Sequence, residues 1–378
     1  MNTTQPYQVS LEKACSETIA AAAPAVDRGA AFPEQSIAAL KAAGLLGAVS
    51  APEVGGLGLG VRGAVEIVGR VAQECGSTAM VACMHYCGTV VLEAFATEAV
   101  RRAAASGETL ITLAFSEAGS RSHFWAPVGT AQGDGDSVIL NAQKSWATSA
   151  SRAAAYVWSS KPLQAEGLST IWLVPAGTSG LTVQGPFEGL GLRGNDSSPI
   201  LARDVKIPRT AMLGEDGQGF GMMMGNVLPI FNAMNAACSV GLMEAAVRRT
   251  TEHAAGVRHS DTGATLADLP TIRNYIARMR VKTDAARTLL DDTVAAIEAN
   301  RADTMLRVLE CKAVAGETAT EVLDLAMRVC GGAAFRKDVG VERYFRDTRA
   351  AGVMAPTTDQ LYDFIGKAVC GLPLSKSC

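Results

Sequence analysis

With 378 residues, 48% of them hydrophobic and 19% charged, the chain is too long for one small core and suits two or three packed subdomains. Its 34 basic and 37 acidic residues leave a formal net charge of -3, which supplies no basic field for nucleic acid. The start, MNTTQPYQVSLEKACS, has no charged segment leading into an apolar core, and no run approaches the roughly 18 uninterrupted apolar residues of a membrane span. Nine cysteines without a CxxC pair point to reduced, mostly buried thiols, and His85, His123, His253 and His259 lack metal-ligand spacing, so a cytoplasmic protein without a membrane partner is expected.

Residues 8–107 are rich in alanine, with Ile37, Leu40 and Leu45 at helical spacing after Pro33. Gly44 and the segment APEVGGLGLG (51–60) interrupt the pattern, and helix resumes over 61–74 and 77–95. From Thr109 to Leu213 the texture changes to short apolar runs with turn punctuation: LITLAF, SVILNA, AAYVWSS, STIWLVP, GLTVQG and SSPILARDVKIP. GDGDSVI reads as a tight turn entering a strand, because Asp-Gly supplies the positive φ that hairpins need. That strand continues into LNAQKSWATSA (140–150), where alternation puts the Trp146 ring and the Thr148 hydroxyl on one face. Upstream, LAFSEAGSRSH (113–123) is a strand running into small residues that allow close backbone approach to a bulky ligand. Two such strands could frame a planar, polar-edged cofactor.

After Phe220 the chain reads as helix to its end, over 222–255, 269–299 and 302–330, with CGGAAF closing the last of these as glycine commonly does. Thr357 and Gln360 form a capping box, so a further helix starts there and Ala355 lies in the loop entering it. The expected architecture is α+β and multidomain: a helical N-terminal domain (1–108), a central β-barrel-like domain (109–214) and a C-terminal helical bundle (215–378).

Read together, these segments resemble the acyl-CoA dehydrogenase family. Ser116-Glu117-Ala118-Gly119-Ser120-Arg121-Ser122-His123 is similar to the family's T-E-P-x-A-G-S-D, and Leu140 to Ser149 to its L-N-G-x-K-x-W-x-T-N. Pro52 to Leu59, GLGLRGNDSSP, DVKIPRTAMLGEDGQGF and VERYFRD match further family elements, and the helix, sheet, helix order fits nearly the whole chain. Arg121 replaces a glycine, His123 an aspartate and Asn195 a serine. The resemblance implies FAD as cofactor, an acyl-CoA substrate, a homodimer or homotetramer and an electron-transfer partner. It places Phe115 and Ser116 at the flavin's pyrimidine edge, Leu113 among the other cofactor contacts, Ser122 at the phosphates, and Trp146 and Thr148 at the ring. Arg258 from a neighbouring subunit would reach the diphosphate, Arg328, Gly331 and Gly332 the adenosine half, with Thr357 and Asp359 at the helix start nearby. Arg258 lacks the family's R-x-x-F-G continuation, having RHSDTG instead.

The family's catalytic glutamate aligns with Ala355, and a second base position used by some members aligns with Phe231, followed by Asn232 in place of arginine. A general base contributes about 10²- to 10⁴-fold, so another group serves or the reaction differs. His85, on a helix that lines the family's acyl cavity, is a substitute candidate. Ala355 keeps the backbone N–H that would polarise a thioester carbonyl, Arg121 could supply positive charge to the flavin pyrophosphate, to CoA or to an anionic substrate, and Met354 and Phe231 would crowd the reacting centre. The leading expectation is oxidation of an acyl-CoA between Cα and Cβ. Alternatives are a non-oxidative reaction of a CoA ester (elimination, isomerisation or desulfination), a flavin monooxygenase, and a non-catalytic flavoprotein.

Overall fold

The computed structural model describes residues 5–120 and 123–373. Helices α1 (Pro6–Lys13), α2 (Ala20–Gly29), α3 (Glu34–Ala42), α4 (Gly60–Ala72), α5 (Gly76–Phe95) and α6 (Glu98–Ala105) build the N-terminal part. In α4 the 3.6-residue period buries Ala64, Ile67, Val68 and Val71 on one face. The glycine-rich break before it is a close backbone crossing, since a Cβ on Gly56 would lie 2.1 Å from the Ser50 carbonyl.

Strands β1 (Ile111–Ala114), β2 (Thr130–Asp134), β3 (Ser137–Ala147), β4 (Ala155–Ser160), β5 (Thr170–Pro175), β6 (Leu181–Val183), β7 (Ser198–Pro208) and β8 (Met212–Leu213) follow. They form two open four-stranded sheets, ordered β1-β4-β5-β8 and β2-β3-β7-β6. The expected barrel closure does not occur. Tyr156, Trp158, Trp172 and Val174 instead face Val138, Leu140, Val205 and Ile207 of the other sheet in a sandwich core. The alternate residues Ile111, Leu113, Val157 and Ile171 point the other way into the helical core, so β4 is buried throughout. The β2–β3 hairpin turns through Gly135 at φ 59°, as the Asp-Gly signal requires. Strand β2 itself, TAQGD, escaped the sequence reading because it is an almost wholly exposed edge without apolar alternation.

After α7 (Gly219–Met222) come α8 (Leu228–Gly256), α9 (Pro270–Glu298), α10 (Thr304–Cys330), α11 (Val341–Asp347), α12 (Arg349–Val353) and α13 (Thr358–Val369). Helix α8 is the axis of the molecule. Gly241 meets Gly69 of α4 so closely that a Cβ would fall 2.2 Å from the Gly69 carbonyl, and α9 and α10 pack on its other sides. Helix α5 and the α7–α8 segment are long and apolar enough to cross a membrane, but 72% and 94% of those windows are buried inside this fold. The VERYFRD element is a stitch between parts: Arg346 pairs with Asp27 of α2 at 2.6 Å, and Asp347 accepts the Leu192 N–H at 2.6 Å. Burial pushes the Asp347 carboxyl up to about 6 against that hydrogen bond and the nearby arginines.

Candidate active site

The central sheet supplies one wall. Lys144 on β3 is fully buried and donates to Glu117 Oε1 at 2.6 Å, to the Ser159 carbonyl at 2.7 Å and to Ser159 Oγ at 2.9 Å. Glu117 in turn accepts the Val128 and Gly129 N–H groups at 2.6 and 2.7 Å. Burial pulls the Lys144 ammonium down to about 8, opposed by the Glu117 charge. This pair clamps the loop after β1 to β3, and the Ser145 N–H donates to the Ser116 carbonyl at 2.9 Å. Neither Glu117 nor Lys144 was assigned a role from sequence, although both stand inside the motifs quoted above.

The clamp sets up an unusual indole. Between Lys144 and Ala147 the β3–β7 register slips, and Trp146 takes φ 55°, a left-handed conformation that costs a bulky residue of order 1 kcal/mol. Its ring stands 69% exposed, touching Phe187 edge-on at 6.3 Å. The simple alternation expected for Trp146 and Thr148 therefore fails. Thr148 lies past the end of β3, buried, with its hydroxyl 3.2 Å from Ser197 Oγ. Leu113 and Phe115 are buried on and just after β1, and Ser116 is half-buried. Arg121 and Ser122 lie outside the described residues.

The C-terminal bundle supplies the other wall. Phe231, Met354 and Ala355 pack on the same core as Phe115 and Phe124, and Trp125 reaches Phe364 of α13 with ring centroids 5.9 Å apart. Lys312 of α10 is buried, and its ammonium donates to the carbonyls of Ala351 (3.2 Å), Met354 (3.0 Å) and Pro356 (2.7 Å). Burial draws this lysine down to about 7. The loop carrying Ala355 is thus fixed through its own backbone, and the Ala355 N–H makes no hydrogen bond to any described residue. On α8, buried Asn232 donates to the Val308 carbonyl at 3.1 Å and Asn235 to Met354 Sδ at 3.3 Å. Both carboxamide oxygens are buried without a partner among the described residues, each at a cost of about 1–3 kcal/mol. Lys312 and Asn235 were missed from sequence. The available signal was a lone lysine or asparagine at a core position of an otherwise apolar helical run.

His85 does not belong to this site. It is fully buried, its Nδ1 accepts the Ile111 N–H at 3.1 Å, and the backbone of Leu46 and Ala104 lies against it, so burial lowers it to about 4 and it faces the N-terminal core. Arg258 is exposed and donates to the Gly263 carbonyl at 3.0 Å within its own loop. Arg328 pairs with Asp324 at 3.0 Å on the surface of α10, and Gly331 and Gly332 follow with open space where a Cβ would stand. Thr357 caps α13 by accepting the Gln360 N–H at 3.4 Å, but the reciprocal half of the capping box is missing, with Gln360 Oε1 unpartnered. Asp359 is exposed in the first turn.

A projecting indole, small or hydroxyl residues beside it, open glycines and, on the 351–356 loop, a backbone N–H without a partner among the described residues fit a flat, polar-edged prosthetic group such as a flavin. The scaffold is that of a three-part flavoprotein oxidoreductase. Family models for the acyl-CoA dehydrogenase N-terminal, middle and C-terminal domains match residues 3–107, 112–205 and 217–370. The human mitochondrial short-chain specific acyl-CoA dehydrogenase is 28% identical over 344 residues, covering 88% of this chain and 82% of that protein. The butyryl-CoA dehydrogenase of Megasphaera elsdenii superposes with a TM-score of 0.90 at 22% identity, covering 98% of this chain and 99% of that one. The prolyl acyl carrier protein oxidase AnaB superposes with a TM-score of 0.86 at 19% identity, covering 97% and 98%. The chain belongs to the acyl-CoA dehydrogenase family, whose members are FAD-dependent oxidoreductases acting on CH–CH bonds.

Proposed function

We propose that this protein oxidises an acyl thioester between Cα and Cβ, with the α-proton leaving to a group other than residues 355 and 231. The observation that carries this reading is the Ala355 N–H, unpaired among the described residues, on a loop locked by Lys312. A thioester oxygen set against that N–H would be polarised without any rearrangement of the loop, and preorganised donors of this kind are the largest electrostatic contribution to such reactions. Bound FAD supplies the two-electron acceptor for the β-hydride. The residues of this chain do the rest: Leu113, Phe115, Ser116, Trp146 and Thr148 seat the ring, Thr357 and Asp359 stand at the adjoining helix start, and Arg121 and Ser122 serve the phosphates. Arg258, Arg328, Gly331 and Gly332 would complete the nucleotide half in a second copy of the chain. That arrangement makes a dimer the smallest complete unit. We place the domain limits at 108/109 and 214/215, where α6 gives way to β1 and β8 to α7. An electron-transfer partner follows from the need to reoxidise the flavin, and the buried thiols suit the cytoplasm.

Neither Ala355 nor Phe231 can accept a proton, so ordinary saturated acyl-CoAs should turn over slowly. Anaerobic mixing of the FAD-loaded protein with acyl-CoAs tests the reading. Bleaching of the visible flavin band supports it, while turnover without bleaching assigns the non-oxidative alternative and a requirement for reduced flavin plus oxygen the monooxygenase. Ala355→Glu should raise activity on unbranched acyl-CoAs by about 10²-fold or more if the loop otherwise serves that chemistry. No gain would overturn the placement of residue 355 beside the substrate α-carbon.

A further inference from the structure

We infer that Asp347 is a positioning residue for the flavin: from α11 it holds, through the Leu192 N–H, the loop whose Phe187 props Trp146 against the ring. The inference rests on the reading above, in which Trp146 seats the flavin. The loop from 184 to 197 joins β6 to β7 and meets the indole through Phe187, edge-on at 6.3 Å. With a left-handed backbone and one aromatic neighbour among the described residues, the indole stands where Phe187 puts it. The far side of this loop is fixed where α2, the start of α5 and α11 meet. Arg346 donates to the Leu190 carbonyl at 3.2 Å, and a Cβ on Gly191 would lie 2.3 Å from the Arg346 carbonyl oxygen. Arg193 donates to the Asp27 carbonyl at 2.9 Å, and the Gly194 N–H to Ser77 Oγ at 3.1 Å. Between these, Leu192 at φ 50° gives its N–H to Asp347 at 2.6 Å.

Asp347 is 4% exposed, and a carboxylate so deep normally takes a counter-ion. Two arginines stand on its own helix, but Arg343 donates to the Glu74 carbonyl and the Tyr344 hydroxyl, and Arg346 to Asp27 and Glu342. Among the described residues Asp347 forms no ion pair, and its charge-assisted hydrogen bond goes to the loop amide instead. The other titratable groups facing it are Asp27 on α2, Cys75 at the start of α5 and Cys238 on α8. Burial pushes both thiols up, the Arg346 guanidinium holds Asp27 down, and the arginines keep their charge, so between pH 5 and 8 Asp347 is the member of this junction that titrates. Its folded value of about 6 lies above the roughly 3.9 of an unfolded aspartate, so the folded chain holds the extra proton between the two and stability falls as pH rises through that window. Protonation thus relieves the cost of a buried charge while about halving the strength of the bond to Leu192. Acid should stabilise the fold and loosen the flavin seat, two effects of opposite sign from one proton.

The test titrates FAD into the full-length apoprotein from pH 5 to 8, reading the dissociation constant from the flavin emission, beside the thermal midpoint at each pH. Wild type should bind FAD about fivefold more weakly at pH 5 than at pH 8, with the change centred near pH 6. Asp347→Asn keeps a neutral acceptor for the Leu192 N–H, so it should bind at every pH about as weakly as wild type does at pH 5. The same variant should melt above wild type at pH 8 and level with it at pH 5. Phe187→Ala, which cuts the path from loop to indole, should flatten the pH dependence of FAD binding with Asp347 still in place. An aspartate of structural importance alone would shift the midpoint with pH and leave FAD affinity constant. The inference is overturned if the wild-type constant does not change between pH 5 and 8, or if the change persists in Asp347→Asn or in Phe187→Ala. If wild type takes up no FAD at any pH, the flavin reading itself falls and takes the inference with it, which is a separate and recognisable outcome.

Discussion

Two buried lysines fix the two walls of the site, and they do it by opposite means. Lys144 in the central sheet has a full counter-charge, Glu117 at 2.6 Å, and the pair shares out its remaining hydrogen bonds with Ser159, Val128 and Gly129. Lys312 in the bundle has no carboxylate among the described residues and satisfies its three protons on three carbonyls of the Ala351 to Pro356 turn. The first wall is held by mutual dependence of two ions, the second by one ion and the backbone dipoles around it. Removing one ion from a pair strands the other in a low-dielectric interior, whereas removing a lone cation strands only neutral oxygens. On the proposed assignment, with flavin against the sheet and substrate against the bundle, the flavin side should therefore be mechanically intolerant of substitution, and the substrate side tunable.

Lys144→Met is the sharpest way to break that contrast. It leaves Glu117 buried and unpaired, at a cost of about 3–5 kcal/mol in unfolding free energy, read by urea denaturation. A loss of under about 1 kcal/mol, the range of exposed ion pairs, would mean that the interior here is effectively wet. Lys312→Met should cost less, about 1–3 kcal/mol for carbonyls left without donors. Its larger effect should be on function, loosening the turn around Ala355 so that thioester binding weakens while FAD content, set by the other wall, is kept. Loss of FAD from Lys312→Met at undiminished stability would erase the distinction between the walls.

Much of the frame behind this comparison was legible beforehand, because it rests on patterns that are local. The short apolar strand runs, the helical period of α4 and the Asp-Gly hairpin each follow from a few neighbouring residues, whereas α8 is buried on all sides and does not keep the amphipathic pattern expected of it. The walls themselves were less legible. Trp146 and Thr148 were placed on one face by period two, but a slipped register and a left-handed Trp146 break that period, and no local signal in KSWATS announces a bulge. His85 was chosen for its chemistry and its helix, yet which side of α5 faces the cavity depends on how α5 packs against α6 and β1. Lys312 and Asn235 matter through partners 42 and 119 residues away in sequence. Pairings at that separation are a property of the packed chain and cannot be read from spacing.

Between pH 7 and 8 the two lysines should part company. Lys312 is depressed to about 7 and Lys144 to about 8, while a lysine in the unfolded chain keeps its proton to about 10.4. Once pH passes the folded value, the unfolded state binds the extra proton, so stability rises with pH. In that window Lys312 gives up its proton first and contributes most of the slope, at most about 1.4 kcal/mol per pH unit. Lys312→Met should flatten it and Lys144→Met should leave most of it in place. Above pH 8 the buried thiols intervene with the opposite sign: Cys15 and Cys311 are pushed up to about 12 and stay protonated when the unfolded chain no longer is. A slope in the variants opposite to this assignment would show that the carbonyls hold Lys312 charged well past neutrality.

The smallest effect on stability, and the cleanest on the cofactor, belongs to Trp146→Ala. The indole is 69% exposed and touches little besides Phe187, so its removal should change unfolding free energy by no more than about 0.5 kcal/mol. Relief of the positive φ is not gained, because alanine carries the same Cβ and meets the same restriction. What the variant loses is the flat surface against which an isoalloxazine would lie, so retained FAD should fall and its visible band shift, while the apoprotein melts as before. Unchanged flavin retention at unchanged stability would mean that this indole is held out for something other than the ring, and the first wall would have to be redrawn around Phe115 and Ser116.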